Sequence, residues 1–197
     1  MANIIGLTGG IGSGKTSVMK HIESLGYNVY YTDEVAKKIM SEKEVVILVN
    51  SIFDENVIQE DGHLNRKRIA EIVFSNPEKL KELNNIIHPK VAADFEKFVS
   101  KLDENEIVIK ESAILFESKS NVNCNYVVLV TAPLEVRINR VIKRDGISRN
   151  EVLKRIQNQI SEEEKVKMSD FVINNLSLKE SFENISKFLK KIQIKHC

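Results

Sequence analysis

The sequence is short of cysteine, of net charge and of long apolar runs. Its two cysteines, Cys124 and Cys197, form neither a CxxC pair nor a disulfide framework. That usage fits a reducing compartment, and we expect a cytoplasmic protein. A formal net charge of +1 leaves no bulk field with which to coat nucleic acid, so any anion site must be local. The opening residues, Met1-Ala2-Asn3-Ile4-Ile5-Gly6, lack the basic and apolar regions of a signal peptide. No stretch approaches the length of a membrane span, so no membrane partner is expected. There is no internal repeat and no Pro/Gly/Ser-rich linker. At 197 residues the chain accommodates one sizeable core with an inserted subdomain, and is too short for two typical domains. Nothing in it specifies an oligomeric state.

What is present is an alternation of short apolar runs with helical patterns, the mark of βαβ units and a mostly parallel sheet. The runs are Ile4–Leu7, Tyr27–Tyr31, Ile107–Ile109, Tyr126–Val130 and Phe171–Ile173. Each is β-branched-rich and apolar throughout, as expected for strands covered on both faces, with Tyr126 and Phe171 as core positions. Between the first two runs, Val18, Ile22 and Leu25 mark one face of a helix that Gly26 stops. Between the second and third, residues 34–105 far exceed one crossover helix and read as a helical insertion. Asn65 and Asn76-Pro77 start helices there, and Val91, Phe95, Phe98 and Leu102 form a further stripe. Insertions of this kind commonly carry acceptor sites.

A second excursion, 134–168, opens at Pro133 with Leu134, Ile138, Val141 and Ile142 facing one way. Arg137, Arg140 and Arg144 share another face of the same helix. Asp145-Gly146 ends it, and Ser148-x-x-Glu151 is a capping box for the next. The last helix starts near Ser177-x-x-Glu180 and turns Leu178, Phe182, Ile185, Leu189 and Ile192 towards the core.

The chemistry begins at Gly9-Gly10-Ile11-Gly12-Ser13-Gly14-Lys15-Thr16, which satisfies G-x-x-x-x-G-K-[ST] between a strand and an amphipathic helix. Glycines let successive backbone N–H groups converge on phosphate oxygens, and the following helix points its positive end at them. Lys15 supplies a mobile charge for the β- and γ-phosphates, and the Thr16 hydroxyl is a ligand for Mg²⁺. The expected fold is therefore α/β, a three-layer P-loop kinase fold with a five-stranded parallel sheet, binding ATP and Mg²⁺. The core would comprise 1–33, 106–133 and 169–197. A kinase is favoured over a switch GTPase or mechanical ATPase because no N-K-x-D signature follows. In addition, no apolar strand ends in a clear aspartate; the third runs into Lys110-Glu111 instead. The arginine-bearing excursion also resembles a lid that closes over ATP.

Further motifs, in order, resemble the dephospho-CoA kinase family along nearly the whole chain. Gly6-Leu7-Thr8 leads into the loop with the family's T-G-G-I-G-S portion. Asp33-Glu34-Val35-Ala36 matches the second half of its D-A-D-x-[IV]-A segment. Asp61-Gly62-His63-Leu64-Asn65-Arg66 with Val73-Phe74, then His88-Pro89 after the next helix, match its insertion. Ala113-Ile114-Leu115-Phe116-Glu117 is similar to P-L-L-F-E, and Arg144-Asp145-Gly146 with Arg155-Ile156-Gln157-Asn158-Gln159 is similar to its lid run. The resemblance extends to Asn174-Asn175. Two positions depart from it: Tyr31 stands in place of the first acid of D-A-D, and Ala113 in place of proline.

The resemblance implies transfer of the ATP γ-phosphoryl group to the ribose 3′-hydroxyl of dephospho-CoA. Gly10, Ile11, Gly12, Ser13, Gly14, Lys15, Thr16 and Ser17 would bind ATP. Thr8, Asp33, Arg66 and His88 would bind the acceptor. Asp33, Lys15, Arg140 and Arg144 would be catalytic, with Arg137 in reserve, and Glu111 and Glu117 are carboxylates able to reach Mg²⁺ through water. Simpler readings stand beside these. Asp33 is equally a helix N-cap, the arginines a solvated face, Arg66 an ion-pair partner and His88 a turn residue. A kinase of another small acceptor, such as a nucleoside monophosphate, or a nucleotide-dependent switch, are the rival functions.

Overall fold

The structure, a computed structural model, describes residues 2–195; Cys197 lies outside them. Two compact units are present, 1–31 with 102–197, and 32–101. In the first, β1 (Asn3–Thr8) leads through the glycine-rich loop to α1 (Lys15–Ser24) and β2 (Asn28–Tyr31). After residue 101 the chain returns as β3 (Ile107–Glu111), β4 (Tyr126–Thr131) and β5 (Phe171–Asn174). All five strands are parallel, in the order β2-β3-β1-β4-β5. β1 is therefore central, and the chain leaves it in one direction to β2 and later passes to β4 on its other side. That reversal opens a crevice at the carboxyl end of β1, where open α/β sheets bind ligands.

Side-chain alternation sorts the core. Ile5 and Leu7 of β1, Ile107 and Ile109 of β3, and Val128 and Val130 of β4 pack with Val18, Met19 and Ile22 of α1. The final helix, Leu178–Lys195, adds Ile185, Leu189 and Ile192 to the same cluster. On the opposite face Val127 packs with Leu115 and Phe116. Two expectations need correction. The apolar stripe of α1 runs through Met19 rather than Leu25, which is 46% exposed as the residue just past the last turn. Only β1, β3 and β4 are covered on both faces; β2 and β5 are edge strands, and Val172 is exposed. Tyr126 and Phe171 are half-buried beside Phe188, whose ring stacks on Phe171.

The unit 32–101 contains α2 (Thr32–Ile39), α3 (Lys43–Ser51), α4 (Arg66–Ser75) and α5 (Pro77–Val99). It has its own core, with Ile39, Val45, Val49, Phe53, Leu64, Ile69, Ile87 and Val91. Asn65 caps α4 through the Arg68 N–H at 3.0 Å, and Asn76 caps α5 through Glu78 and Lys79, with Pro77 at the first turn. His88 and Pro89 do not follow a helix but lie inside α5. Pro89 has no N–H for the Asn85 carbonyl, yet the helix continues because Ile87, Val91 and Phe95 bury its inner face on both sides of the break. Leu102 falls beyond its end.

Three further helices, α6 (Leu134–Asp145), α7 (Arg149–Gln157) and α8 (Glu162–Lys167), separate β4 from β5, and α9 (Leu178–Lys195) closes the chain. Gly146 ends α6 in the left-handed region, and Ser148 and Glu151 form the expected reciprocal cap on α7. A second such cap, Ser161 with Glu164, starts α8. Ser177 caps α9 less closely, accepting from the Glu180 N–H at 3.5 Å. Leu134 and Leu178, each at the start of its helix, are exposed. No helix among the described residues is long and apolar enough to cross a membrane.

Candidate active site

The site is built on the loop that follows the central strand. Residues 9–14 turn tightly, with the Ser13 N–H donating to the Gly10 carbonyl at 3.0 Å. Gly12 and Gly14 have φ of 79° and 88°, where a side chain would strain the backbone. A Cβ at Gly14 would also collide with the Asn175 amide. Gly14 caps α1 without a side chain, and no acid lies in the first turn of α1. The positive end of that helix is therefore answered by neither a side-chain cap nor an acid of its own first turn, which suits an anionic ligand.

Lys15, at the first position of α1, pairs with the Glu111 carboxylate at the end of β3. Both residues are buried, 9% and 6% exposed. Strand register explains the meeting, since Leu7, one residue before the end of β1, lies beside Glu111. The third strand thus does end in an acid at the loop, a glutamate instead of the aspartate sought in the sequence. Two hydroxyls complete the pattern: Thr8 Oγ1 and Ser13 Oγ are buried with no hydrogen-bond partner. Buried orphans of this kind are rare, and a ligand at the loop would satisfy them.

The arginines of α6 separate in role. Arg140 is half-buried and donates to the Ser13 carbonyl at 3.3 Å and the Asn175 carbonyl at 2.9 Å. Arg137 is 4% exposed, donates to the Ile11 carbonyl at 3.0 Å and pairs with Glu162 at 2.6 Å. Arg144 is exposed, its side chain retaining 63% of its surface, and chelates Asp145 at 2.7 and 3.0 Å. The Arg144 bond, reinforced by Arg155, holds the Asp145 carboxyl below the usual carboxylate range. So one predicted lid arginine, Arg140, touches the loop, the reserve candidate Arg137 touches it too, and Arg144 faces its own neighbour. Glu117 also turns inward, accepting the Ile160 N–H at 3.1 Å and lying 3.4 Å from the fully buried Lys165.

Two loop contacts, and one residue behind them, have no local signal in the sequence. Asn175 donates to the Ser13 carbonyl at 2.8 Å and is held by the Ser181 hydroxyl at 3.0 Å. Gln159 accepts the Ile11 N–H at 3.1 Å and reaches the Ala113 carbonyl at 3.4 Å. Glu162 completes the set through Arg137. Gln159 and Asn175 stood in segments that carried the family resemblance, which was the one signal that singled them out; no local pattern assigned them a partner 148 or 162 residues away.

The remaining predicted residues lie elsewhere. Asp33 is the second residue of α2, inside the helix and exposed, so it is not at the N-cap position. Tyr31, the departure from D-A-D, donates its hydroxyl to Glu23 at 2.9 Å and so serves α1. In the second unit, Arg66 donates to the Lys37 carbonyl at 2.9 Å and joins α4 to the end of α2, instead of forming an ion pair. His88 is on the outer side of α5, and desolvation by its surroundings lowers its pKa from the ordinary imidazole value.

A five-stranded parallel sheet in this order, with a glycine-rich phosphate loop after the central strand, defines the P-loop kinase fold. A shikimate kinase from Acinetobacter baumannii shares it, with a TM-score of 0.59 at 14% identity over 97% of this chain and 94% of that one. The dephospho-CoA kinase family profile matches residues 3–180, and the chain belongs to that family. It is 40% identical over 190 residues to a dephospho-CoA kinase of Fusobacterium nucleatum, covering 96% of this chain and 98% of that protein. A crystal structure from Thermus thermophilus superimposes with a TM-score of 0.88 at 38% identity, covering 96% of this chain and 97% of the other.

Proposed function

We propose that the protein transfers the γ-phosphoryl group of ATP to the ribose 3′-hydroxyl of dephospho-CoA, forming coenzyme A and ADP in the cytoplasm. The observation that carries this reading is family membership over 3–180, joined to a phosphate loop whose lysine and facing carboxylate are both in place. Phosphoryl transfer asks for alignment and charge neutralisation more than covalent help. Residues Gly10 to Ser17 form the ATP site, in which backbone N–H groups of the loop cradle the phosphates, and Lys15 moves from Glu111 to the transferring group. Asp33 orients the acceptor hydroxyl and takes its proton. Arg140, already at the loop, neutralises charge on ATP, and Arg144 joins it when 134–168 closes as a lid.

Thr8, Arg66 and His88 are assigned to the acceptor, with 34–105 as the acceptor-binding insertion. Among the described residues no group of three or more His, Cys, Asp or Glu is placed to hold a metal ion. Mg²⁺, which typically keeps waters and phosphate ligands, would be held by Thr16 and, through water, Glu111; it would supply charge on the β- and γ-oxygens. The unpartnered Thr8 and Ser13 hydroxyls fit a ligand-bearing loop of this kind. An acceptor screen tests the reading. ADP release with ATP–Mg²⁺ should be far faster with dephospho-CoA than with AMP, CMP or shikimate, and equal turnover of a nucleoside monophosphate would sink it.

A further inference from the structure

We propose that Arg137, locked by Glu162, is a positioning residue that sets the shape of the phosphate loop without touching the nucleotide. The inference rests on the loop being the nucleotide site. A buried guanidinium needs its charge paired and its donors satisfied. Arg137 meets that need against the loop: Nε donates to the Ile11 carbonyl at 3.0 Å, and an Nη donates to Glu162 at 2.6 Å. Its guanidinium fills the space where a Cβ on Gly10 would stand, and its own backbone carbonyl fills that of Gly12. A side chain at position 10 would have to displace the guanidinium.

The segment leading to Glu162 strengthens the clasp. Gln159 accepts the Ile11 N–H at 3.1 Å, and the Ile160 N–H donates to Glu117 at 3.1 Å. Both backbone groups of Ile11 are thus held by side chains from beyond β4, one from Arg137 and one from Gln159. That arrangement fixes the entry to the turn, the Ser13 N–H closes it on the Gly10 carbonyl, and the amides of Gly12, Gly14 and Thr16 follow on the ligand side. The Arg137 charge is answered by Glu162, whereas Arg140 donates only to backbone carbonyls. Arginine suits the place because its planar fork reaches two separated acceptors in fixed directions; lysine carries its three donors on one atom and has no such fixed fork.

The test compares ATP and ADP affinity in the wild type with three variants: Arg137→Lys, Glu162→Gln, and the doubly neutral Arg137→Met/Glu162→Gln, which strands no buried charge. Acting through the loop, each change should weaken ATP and ADP by the same factor, about tenfold, the weight of one charge-assisted hydrogen bond. KM for ATP should rise more than kcat falls. A loss confined to ATP would mean that Arg137 reaches the γ-phosphate itself, and unchanged affinities with a lowered melting temperature would mean a purely structural role; either overturns the proposal. Should Arg137→Lys fail to fold, the doubly neutral variant decides. If the wild type bound neither nucleotide, the loop reading itself would fall, which is a different result.

Discussion

Replacing Glu111 with glutamine should destabilise the sheet unit far more than replacing Glu111 and Lys15 together. The two side chains pair while 6% and 9% exposed, so each is largely removed from water. Taking away one partner breaks a buried ion pair, at about 3–5 kcal/mol. Removing both, in Lys15→Met/Glu111→Gln, strands nothing and should return stability to within about 1 kcal/mol of the wild type. The cycle therefore predicts a coupling of about 3 kcal/mol or more. All four tyrosines, Tyr27, Tyr30, Tyr31 and Tyr126, belong to the unit that holds the pair, so tyrosine fluorescence during urea unfolding reports on it selectively. Single-variant losses below about 1 kcal/mol that simply add in the double variant would refute the reasoning, because that is the weight of an exposed pair.

Other outcomes follow from single residues. Asp33→Asn should lower kcat about a hundredfold or more while leaving ATP affinity intact, since it removes a proton acceptor and no phosphate contact; unfolding in its place would favour a structural role. Arg144→Ala removes one exposed pair with Asp145 and should change stability by no more than about 0.5 kcal/mol. A large fall in kcat for that variant then reports on phosphoryl transfer, and an unchanged kcat would remove Arg144 from the mechanism. Burial pushes the Cys124 thiol up to about 11, with Lys110 opposing. In a Cys197→Ser background, alkylation at pH 8 should run about 200-fold slower in the native protein than in urea, by thiolate fraction alone. Because the unfolded thiol ionises near its ordinary value, the stabilisation from keeping it neutral is present below about pH 8.5 and is lost as pH rises towards the folded value.

Legibility in the sequence followed the range of the interaction. Strands read well because β-branched apolar runs state their own preference, and Asn65, Asn76-Pro77 and Ser148–Glu151 cap helices through bonds two or three residues long. The glycine-rich loop was legible because its geometry demands particular residues at neighbouring positions. What could not be read was whatever depends on a distant partner. Leu25 looked like core until the helix ended before it, and Met19 took its place. His88-Pro89 looked like a turn, but burial of Ile87 and Val91 carries the helix through the proline. Arg137 reads as a reserve lid arginine or part of a solvated face, yet it is buried against Glu162 from another segment, as Lys165 is against Glu117. Glu111 reads in the sequence only as a carboxylate able to reach Mg²⁺ through water, and strand register is what places it beside the loop.

The acceptor hydroxyl is identified by comparing initial rates of ADP release with dephospho-CoA and its 2′-deoxy and 3′-deoxy analogues, and with CMP, at saturating ATP–Mg²⁺. Transfer to the 3′-hydroxyl gives turnover with dephospho-CoA, retained in kind with the 2′-deoxy analogue, and none with the 3′-deoxy analogue. Turnover of the 3′-deoxy analogue, or a rate with CMP that matches dephospho-CoA, would contradict it.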